Sequence, residues 1–161
     1  MIDTHGTVDR DGFMLEWVRE GHGFPMMVLG ASRFYPRYFP QALRDHFEIV
    51  FRDLRKWVRT PDGFDISAIT LDTFSGDVDA IRQAAGLDRP VVAGQSQHGS
   101  IALEYARRYP DRVRGVAAVA PVPPAGSGEA PGMRARPGTT PRFRRERRFT
   151  AQISPGTCLS P

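Results

Sequence analysis

The residue with the clearest capacity for chemistry is Ser96, which lies in the run Val91-Val92-Ala93-Gly94-Gln95-Ser96-Gln97-His98-Gly99. This run is typical of a strand, a tight turn and the start of a helix, with small residues at 94 and 99 where helix and strand meet. A serine in such a turn exposes its hydroxyl at the carboxyl end of a sheet. The N–H of Gln97, at a helix N-terminus, can stabilise an oxyanion there. The run therefore predicts a serine nucleophile for a carbonyl carbon; an ordinary turn serine is the alternative.

A nucleophilic serine needs a base, because its hydroxyl is a weak nucleophile until a neighbour accepts the proton. His98 is close in sequence, but side chains two positions apart at the start of a helix point in different directions. A packed or solvent-facing His98 is therefore the favoured interpretation. No histidine follows His98 and no aspartate follows Asp111. We expect the chain to supply neither the catalytic acid nor the catalytic base.

The elements that position Ser96 alternate between strand and helix over the first 120 residues. Apolar runs and turn residues predict strands over 13–19, 26–29, 47–51, 90–93 and 113–119. Apolar residues at steps of three and four predict helices over 71–85 and 97–108, and a weaker helical signal covers 36–44. Gly86 and Pro110 are expected to end the two stronger helices. This alternation predicts a mostly parallel sheet with flanking helices.

With Ser96 in this order of elements, residues 11–124 resemble the α/β-hydrolase superfamily. The other matching segments are the strand and turn of 21–30, the strand of 47–53 followed by Leu54-Arg55, and the helix-to-strand passage of 101–113. The resemblance implies a serine hydrolase acting on an ester, lactone or amide, with Ser96 as nucleophile. It implies the backbone N–H groups of Gln97 and Ala31 as oxyanion donors, and no metal or organic cofactor. A serine at this turn argues against the dehalogenase branch, which uses an aspartate.

Three segments depart from the family pattern and indicate a divergent branch. They are His98 in place of the second glycine of the turn, the oxyanion loop Leu29-Gly30-Ala31-Ser32 without His-Gly, and the loop Asp53-Leu54-Arg55-Lys56-Trp57-Val58 without its glycines.

Two groups of residues admit a functional and a structural interpretation. Asp53 and Arg55 are either an acid and an anion clamp or, as we favour, a turn-fixing carboxylate and a loop ion pair. An aromatic cluster follows the oxyanion loop and consists of Phe34, Tyr35, Tyr38 and Phe39. We give equal weight to two interpretations of this cluster, that it lines an acyl pocket and that it packs in the core.

The basic character of the chain comes from its last 37 residues. Residues 1–124 hold 15 Lys and Arg against 16 Asp and Glu, whereas 125–161 hold seven Arg and two Glu. The tail has no hydrophobic period and is rich in Arg, Pro and Gly, which predicts disorder. GC-rich DNA encodes these residues in almost any frame, so an out-of-frame end is our hypothesis. The predicted architecture is an incomplete α/β-hydrolase fold over 1–124 followed by a disordered tail over 125–161, inactive on its own.

The alternative function is a non-catalytic, hydrolase-like core with a basic arm. The segment 142–149 contains five arginines, with Phe143 among them and Phe149 at its end. Arginine together with aromatic residues can bind phosphates and stack on bases. Such an arm would bind nucleic acid or another anionic partner. We favour a small-molecule substrate over nucleic acid.

Composition excludes several other classes. The absence of an 18-residue apolar run argues against a transmembrane helix, and the N-terminus does not resemble a signal peptide. The single cysteine, Cys158, excludes a disulfide framework and a zinc finger. We expect a cytoplasmic protein; the sequence does not predict its oligomeric state.

Overall fold

The predicted sheet is present in the computed structural model, which describes residues 4–122. Its six strands lie in the order β1-β2-β4-β3-β5-β6. The strands are β1 (His5–Arg10), β2 (Phe13–Gly21), β3 (Phe24–Gly30), β4 (Phe47–Asp53), β5 (Val91–Gln95) and β6 (Gly115–Val119). Strands β3 to β6 run parallel, and β1 and β2 are antiparallel to their neighbours. The predicted mostly parallel sheet is confirmed.

Three α-helices within the described residues flank this sheet. They are α1 (Gln41–Arg44), α2 (Leu71–Ala84) and α3 (Gln97–Arg108). Short 3-10 helices cover Tyr35–Tyr38, Arg55–Trp57, Ile66–Ala68 and Pro110–Arg112. The weak helical signal over 36–44 thus becomes a 3-10 turn and one turn of α-helix. No helix in residues 4–122 is both long enough and apolar enough to cross a membrane. The predicted tail, 125–161, lies outside the described residues, so its disorder and its boundary stay predictions.

Strand β1, which begins at His5, was not predicted. The strand is polar and half exposed, so it carries no strong periodic signal. It pairs with β2 across Asp11 and Gly12, which both have positive φ, of 56° and 82°. Two positive φ angles match a tight hairpin turn, and an Asp-Gly pair is the sequence signal that would have indicated this hairpin.

The core lies on both faces of the central strands. Met27, Leu29 and Val50 pack on the face covered by α2 and α3. Met26, Val28, Ile49 and Phe51 pack on the opposite face, against the segment 35–43. Burial on both faces explains why β3 is a nearly continuous apolar run. It also holds the carboxyl ends of β3, β4 and β5 in fixed relative positions.

Candidate active site

Ser96 is the single residue between the end of β5 and the start of α3. Its backbone has φ 55° and ψ −130°, a region that residues other than glycine rarely adopt. The Ser96 N–H donates to the carbonyl oxygen of Val119 at 2.9 Å, and the Ser96 carbonyl accepts from the Gly99 N–H at 2.9 Å. The side chain makes no capping hydrogen bond to α3, and the residue is exposed. The serine is thus held by its backbone, with its hydroxyl at the surface.

Gly94 and Gly99 make this turn possible. A Cβ atom added at Gly94 would lie 2.4 Å from the carbonyl carbon and oxygen of His98. One added at Gly99 would lie 3.0 Å from the Gly94 carbonyl oxygen. The expected crowding between strand and helix is therefore present at both small residues.

The sheet register places Ala31 close to the level of Ser96. Strands β3 and β5 are parallel neighbours, with Val28 paired to Ala93. Ala31 and Ser96 each follow that pair by three residues, so both leave the same edge of the sheet. The Ala31 carbonyl accepts the N–H groups of Phe34 at 3.1 Å and Tyr35 at 3.0 Å, which forms a turn at this edge. The two segments predicted to carry oxyanion donors are therefore adjacent.

The structural interpretation of Asp53 is confirmed. Its carboxylate accepts the N–H of Ser32 at 2.7 Å and that of Glu16 at 3.3 Å. A buried carboxylate that accepts backbone N–H groups fixes the conformation of the segments that donate them. Asp53 therefore stabilises the turn that follows β3.

The loop ion pair expected for Arg55 is also confirmed. Its buried guanidinium donates to Asp77 at 2.7 and 2.9 Å and to Asp11 at 2.6 Å. Asp77 is fully buried on α2. These contacts tie the loop after β4 to α2 and to the first hairpin, and they engage the guanidinium with carboxylates of the chain itself.

His98 is a packed residue, as favoured. It is buried, and its Nδ1 lies 3.2 Å from the Tyr35 hydroxyl oxygen. Burial, aided by the nearby charges of Lys56 and Arg52, lowers the pKa of His98 to about 4. Within residues 4–122 it makes no hydrogen bond to Ser96. The described residues therefore bring Ser96 together with the turn at Ala31, but not with a base.

Two cavities lie beside these turns and share Phe34. One, of about 690 Å³, is lined in part by Ala31, Asp53 and Trp57. The other, of about 530 Å³, is lined by the whole aromatic cluster, Phe34, Tyr35, Tyr38 and Phe39, with Gln95. Tyr35 and Phe39 also pack against the core, whereas Phe34 and Tyr38 are exposed. Core packing therefore applies to Tyr35 and Phe39, and the acyl pocket stays a prediction.

Arg52 was missed by the sequence analysis, although an arginine in an otherwise apolar strand was a usable signal. The side chain is fully buried, and its Nε donates to the Asp53 carbonyl at 2.8 Å. Neither Nη atom has a hydrogen-bond partner among the described residues. Burial lowers the pKa of Arg52 to about 10. A buried charge without all of its hydrogen-bond partners lowers the stability of the fold.

Replacing Arg52 with methionine is expected to stabilise the protein. Methionine fills much of the same volume without a charge to desolvate, and removing buried charge often gains about 1–4 kcal/mol. Urea unfolding should show a higher midpoint for Arg52→Met. The exposed Arg37 provides a control, since Arg37→Met should stay within about 0.5 kcal/mol of the parent. A loss of stability in Arg52→Met would mean that the guanidinium is fully paired.

Comparison with known proteins identifies the family. The sequence model of the alpha/beta hydrolase fold family matches residues 22–157. The AB hydrolase superfamily protein YclE of Bacillus subtilis (strain 168) is 34% identical over 116 residues, which cover 72% of this chain. The chain belongs to the α/β-hydrolase fold family.

Solved structures have the same fold. A proline iminopeptidase-related protein from Thermus thermophilus matches with a TM-score of 0.62 and 23% identity, over 73% of this chain and 44% of that one. Epoxide hydrolase A from Mycobacterium thermoresistibile matches with a TM-score of 0.59 and 24% identity, over 71% and 38%. The chain spans 41% of the length of YclE.

Proposed function

We propose that this chain carries the nucleophile of a serine hydrolase that acts on an ester, lactone or amide. The observation that carries the proposal is the positive φ of Ser96 at the end of a parallel strand, in a member of the α/β-hydrolase family. The Ser96 Oγ attacks the carbonyl carbon, its proton passes to a base, and the carbonyl electrons move onto oxygen. Collapse of this intermediate expels the alkoxide or amine, which takes up a proton, and water then hydrolyses the acyl-enzyme.

The developing oxyanion would be held by the N–H groups of Gln97 and Ala31. Gln97 begins α3, and the first N–H groups of a helix have no partner within the helix. The positive end of the helix dipole adds to their effect. The register of β3 and β5 supports Ala31 as the second donor, since it leaves the sheet edge beside Ser96.

We further propose that residues 4–122 have little hydrolytic activity of their own. The nearest histidine, His98, is buried and directs its Nδ1 at Tyr35. A positioned general base contributes about 10²–10⁴-fold to such reactions. Without one, Ser96 would react slowly unless an external base is supplied.

Labelling with a fluorophosphonate in the presence of imidazole tests both proposals. The Ser96 Oγ displaces fluoride from phosphorus, and free imidazole accepts the proton. We expect slow labelling in buffer and at least about tenfold faster labelling as imidazole is raised, a part of what a positioned base provides. Peptide mass spectrometry locates the adduct.

Ser96→Ala should abolish the labelling, whereas Ser100→Ala should retain it. Ser100 is a matched control because it lies one turn further along α3, with its hydroxyl bonded to the Val122 carbonyl. Labelling that persists in Ser96→Ala would count against Ser96 as the nucleophile, and labelling that imidazole does not accelerate would count against the absence of a positioned base.

The alternative of a basic arm that binds nucleic acid stays a prediction. The arginines on which it depends, in 142–148, lie outside the described residues. The two cavities beside Ala31 and Gln95 instead support a small-molecule substrate.

A further inference from the structure

The hydrogen bond between Tyr35 and His98 joins the two segments that carry the proposed oxyanion donors. Tyr35 lies in the turn after β3, and His98 lies in the first turn of α3. The Tyr35 hydroxyl and the His98 Nδ1 are 3.2 Å apart. Within residues 4–122, no other hydrogen bond links the segment 31–39 to the segment 95–99. This contact can therefore influence the distance between the N–H groups of Gln97 and Ala31.

The protonation states of the pair follow from its surroundings. Three groups from other elements act on His98: Tyr35, and the cationic Lys56 and Arg52. Burial and the two cations keep the imidazole neutral, with a pKa of about 4. Burial also raises the pKa of Tyr35, so the phenol keeps its proton. A neutral imidazole has one donor and one acceptor nitrogen, so the direction of the bond between Tyr35 and His98 depends on which ring nitrogen holds the proton.

Tyr35 is tightly fixed to the backbone beside Ala31. Its N–H donates to the Ala31 carbonyl at 3.0 Å. Its ring lies against Gly30, where an added Cβ atom would be only 2.5 Å from a ring carbon. On the other side of the contact, His98 directly follows Gln97. A displacement of either side chain would therefore be transmitted to one of the two donors.

We propose that Tyr35 and His98 are positioning residues that hold the N–H groups of Gln97 and Ala31 at a fixed separation. The proposal rests on the function proposed above. Neither side chain makes a hydrogen bond to the Ser96 hydroxyl within residues 4–122. His98 stands where the family pattern has glycine, and glycine has no side chain to make this link. The pair would thus be a stabilising feature of this chain's own oxyanion site.

The hydrogen bond itself is tested by nuclear magnetic resonance, without any reaction. In protein labelled with ¹⁵N, His98 should be a single tautomer and should stay neutral from pH 5 to pH 8. Tyr35→Phe removes the hydroxyl partner of His98 and should shift the Nδ1 resonance, together with the backbone amides of Gln97 and Ala31. Tyr109→Phe is the matched control, because Tyr109 follows the last residue of α3 and its hydroxyl makes no hydrogen bond within residues 4–122, and it should leave all of these signals in place.

The consequence for chemistry is tested by the rate of imidazole-assisted labelling of Ser96. Loss of one oxyanion donor costs about 10²–10³-fold, so a misplaced donor in Tyr35→Phe is expected to cost about tenfold in the maximal rate. The reagent concentration for half-maximal rate and the melting temperature should stay close to the parent values. Tyr109→Phe should label at the parental rate.

The outcomes separate the two proposals. If Ser96 labels in the parent, and Tyr35→Phe labels equally fast or leaves the Gln97 and Ala31 amides unmoved, the positioning role is wrong and the proposed function stands. If Ser96 does not label in the parent even with imidazole, the proposed function is wrong and the positioning role falls with it.

Discussion

Asp79→Ala is expected to lower the free energy of unfolding by about 3–5 kcal/mol, because it removes the acceptor of a buried polar network. The Asp79 carboxylate accepts from Tyr105 Oη at 2.9 Å, Arg82 Nε at 3.0 Å, Gln83 Nε2 at 2.6 Å and Arg112 Nη1 at 2.6 Å. The contacts join α2 to α3 and to the 3-10 turn that precedes β6. Whole domains are stable by only about 5–15 kcal/mol, so much of the variant should be unfolded in mild urea.

The control for this variant is Asp88→Ala. Asp88 is exposed after α2, and its side chain makes no hydrogen bond within residues 4–122. Its replacement should change the free energy of unfolding by less than about 0.5 kcal/mol. Equal urea midpoints for Asp79→Ala and the parent would mean that the network does not join these elements.

The same network predicts how stability depends on pH. Burial alone would raise the pKa of Asp79, but hydrogen bonds from Arg82, Tyr105, Arg112 and Gln83 outweigh it and hold the pKa below its ordinary value. A carboxyl with a lowered folded-state pKa stabilises the fold above its unfolded-state pKa, and this contribution is lost as pH falls through the folded-state value. The difference in stability between the parent and Asp79→Ala should therefore shrink below about pH 4.

Local sequence patterns predicted the elements that are buried or that are followed by glycine or proline. Strand β3 appears as an apolar run because both of its faces are covered. Helix α2 ends at Ala84, and Gly86, two residues later, has a φ of +64°, a conformation that glycine adopts without strain. The polar strand β1 has no such signal and forms because β2 pairs with it. The position of β4 between β2 and β3 is set by packing across the sheet, which local periodicity does not encode.

The candidate site likewise has features that the sequence predicted and features that it did not. The turn at Ser96 was predicted because glycine and apolar residues mark it in the sequence, whereas the role of Ala31 was implied by the family resemblance. The contact from Tyr35 to His98 spans 63 positions, and that from Asp53 to Ser32 spans 21. Such long-range partners depend on the strand register, so no spacing rule indicates them. Arg52 differs, since its position in an apolar strand was an unused signal of burial, although that position indicates no partner.

Gly94→Ala is expected to have the largest effect at the site itself. The φ of Gly94 is not in the left-handed region, so alanine meets no torsional strain, and the cost is the Cβ at 2.4 Å from two backbone atoms of His98. Backbone cannot rotate away as a side chain does, so β5 and α3 must separate, at about 1–3 kcal/mol or more. Thermal unfolding should show a lower midpoint, and imidazole-assisted labelling of Ser96 should be lost.

The matched control for Gly94→Ala is Gly115→Ala in the neighbouring strand β6. A Cβ atom at Gly115 meets no other atom within 4 Å. Alanine there should leave the free energy of unfolding unchanged or raise it by up to about 1 kcal/mol, because it reduces the conformational entropy of the unfolded chain. Both variants add one methyl group to a strand glycine and differ in what that group meets. A parental midpoint for Gly94→Ala would mean that strand and helix do not cross closely there. Retained labelling in a destabilised Gly94→Ala would instead separate the reactivity of Ser96 from the tightness of the turn.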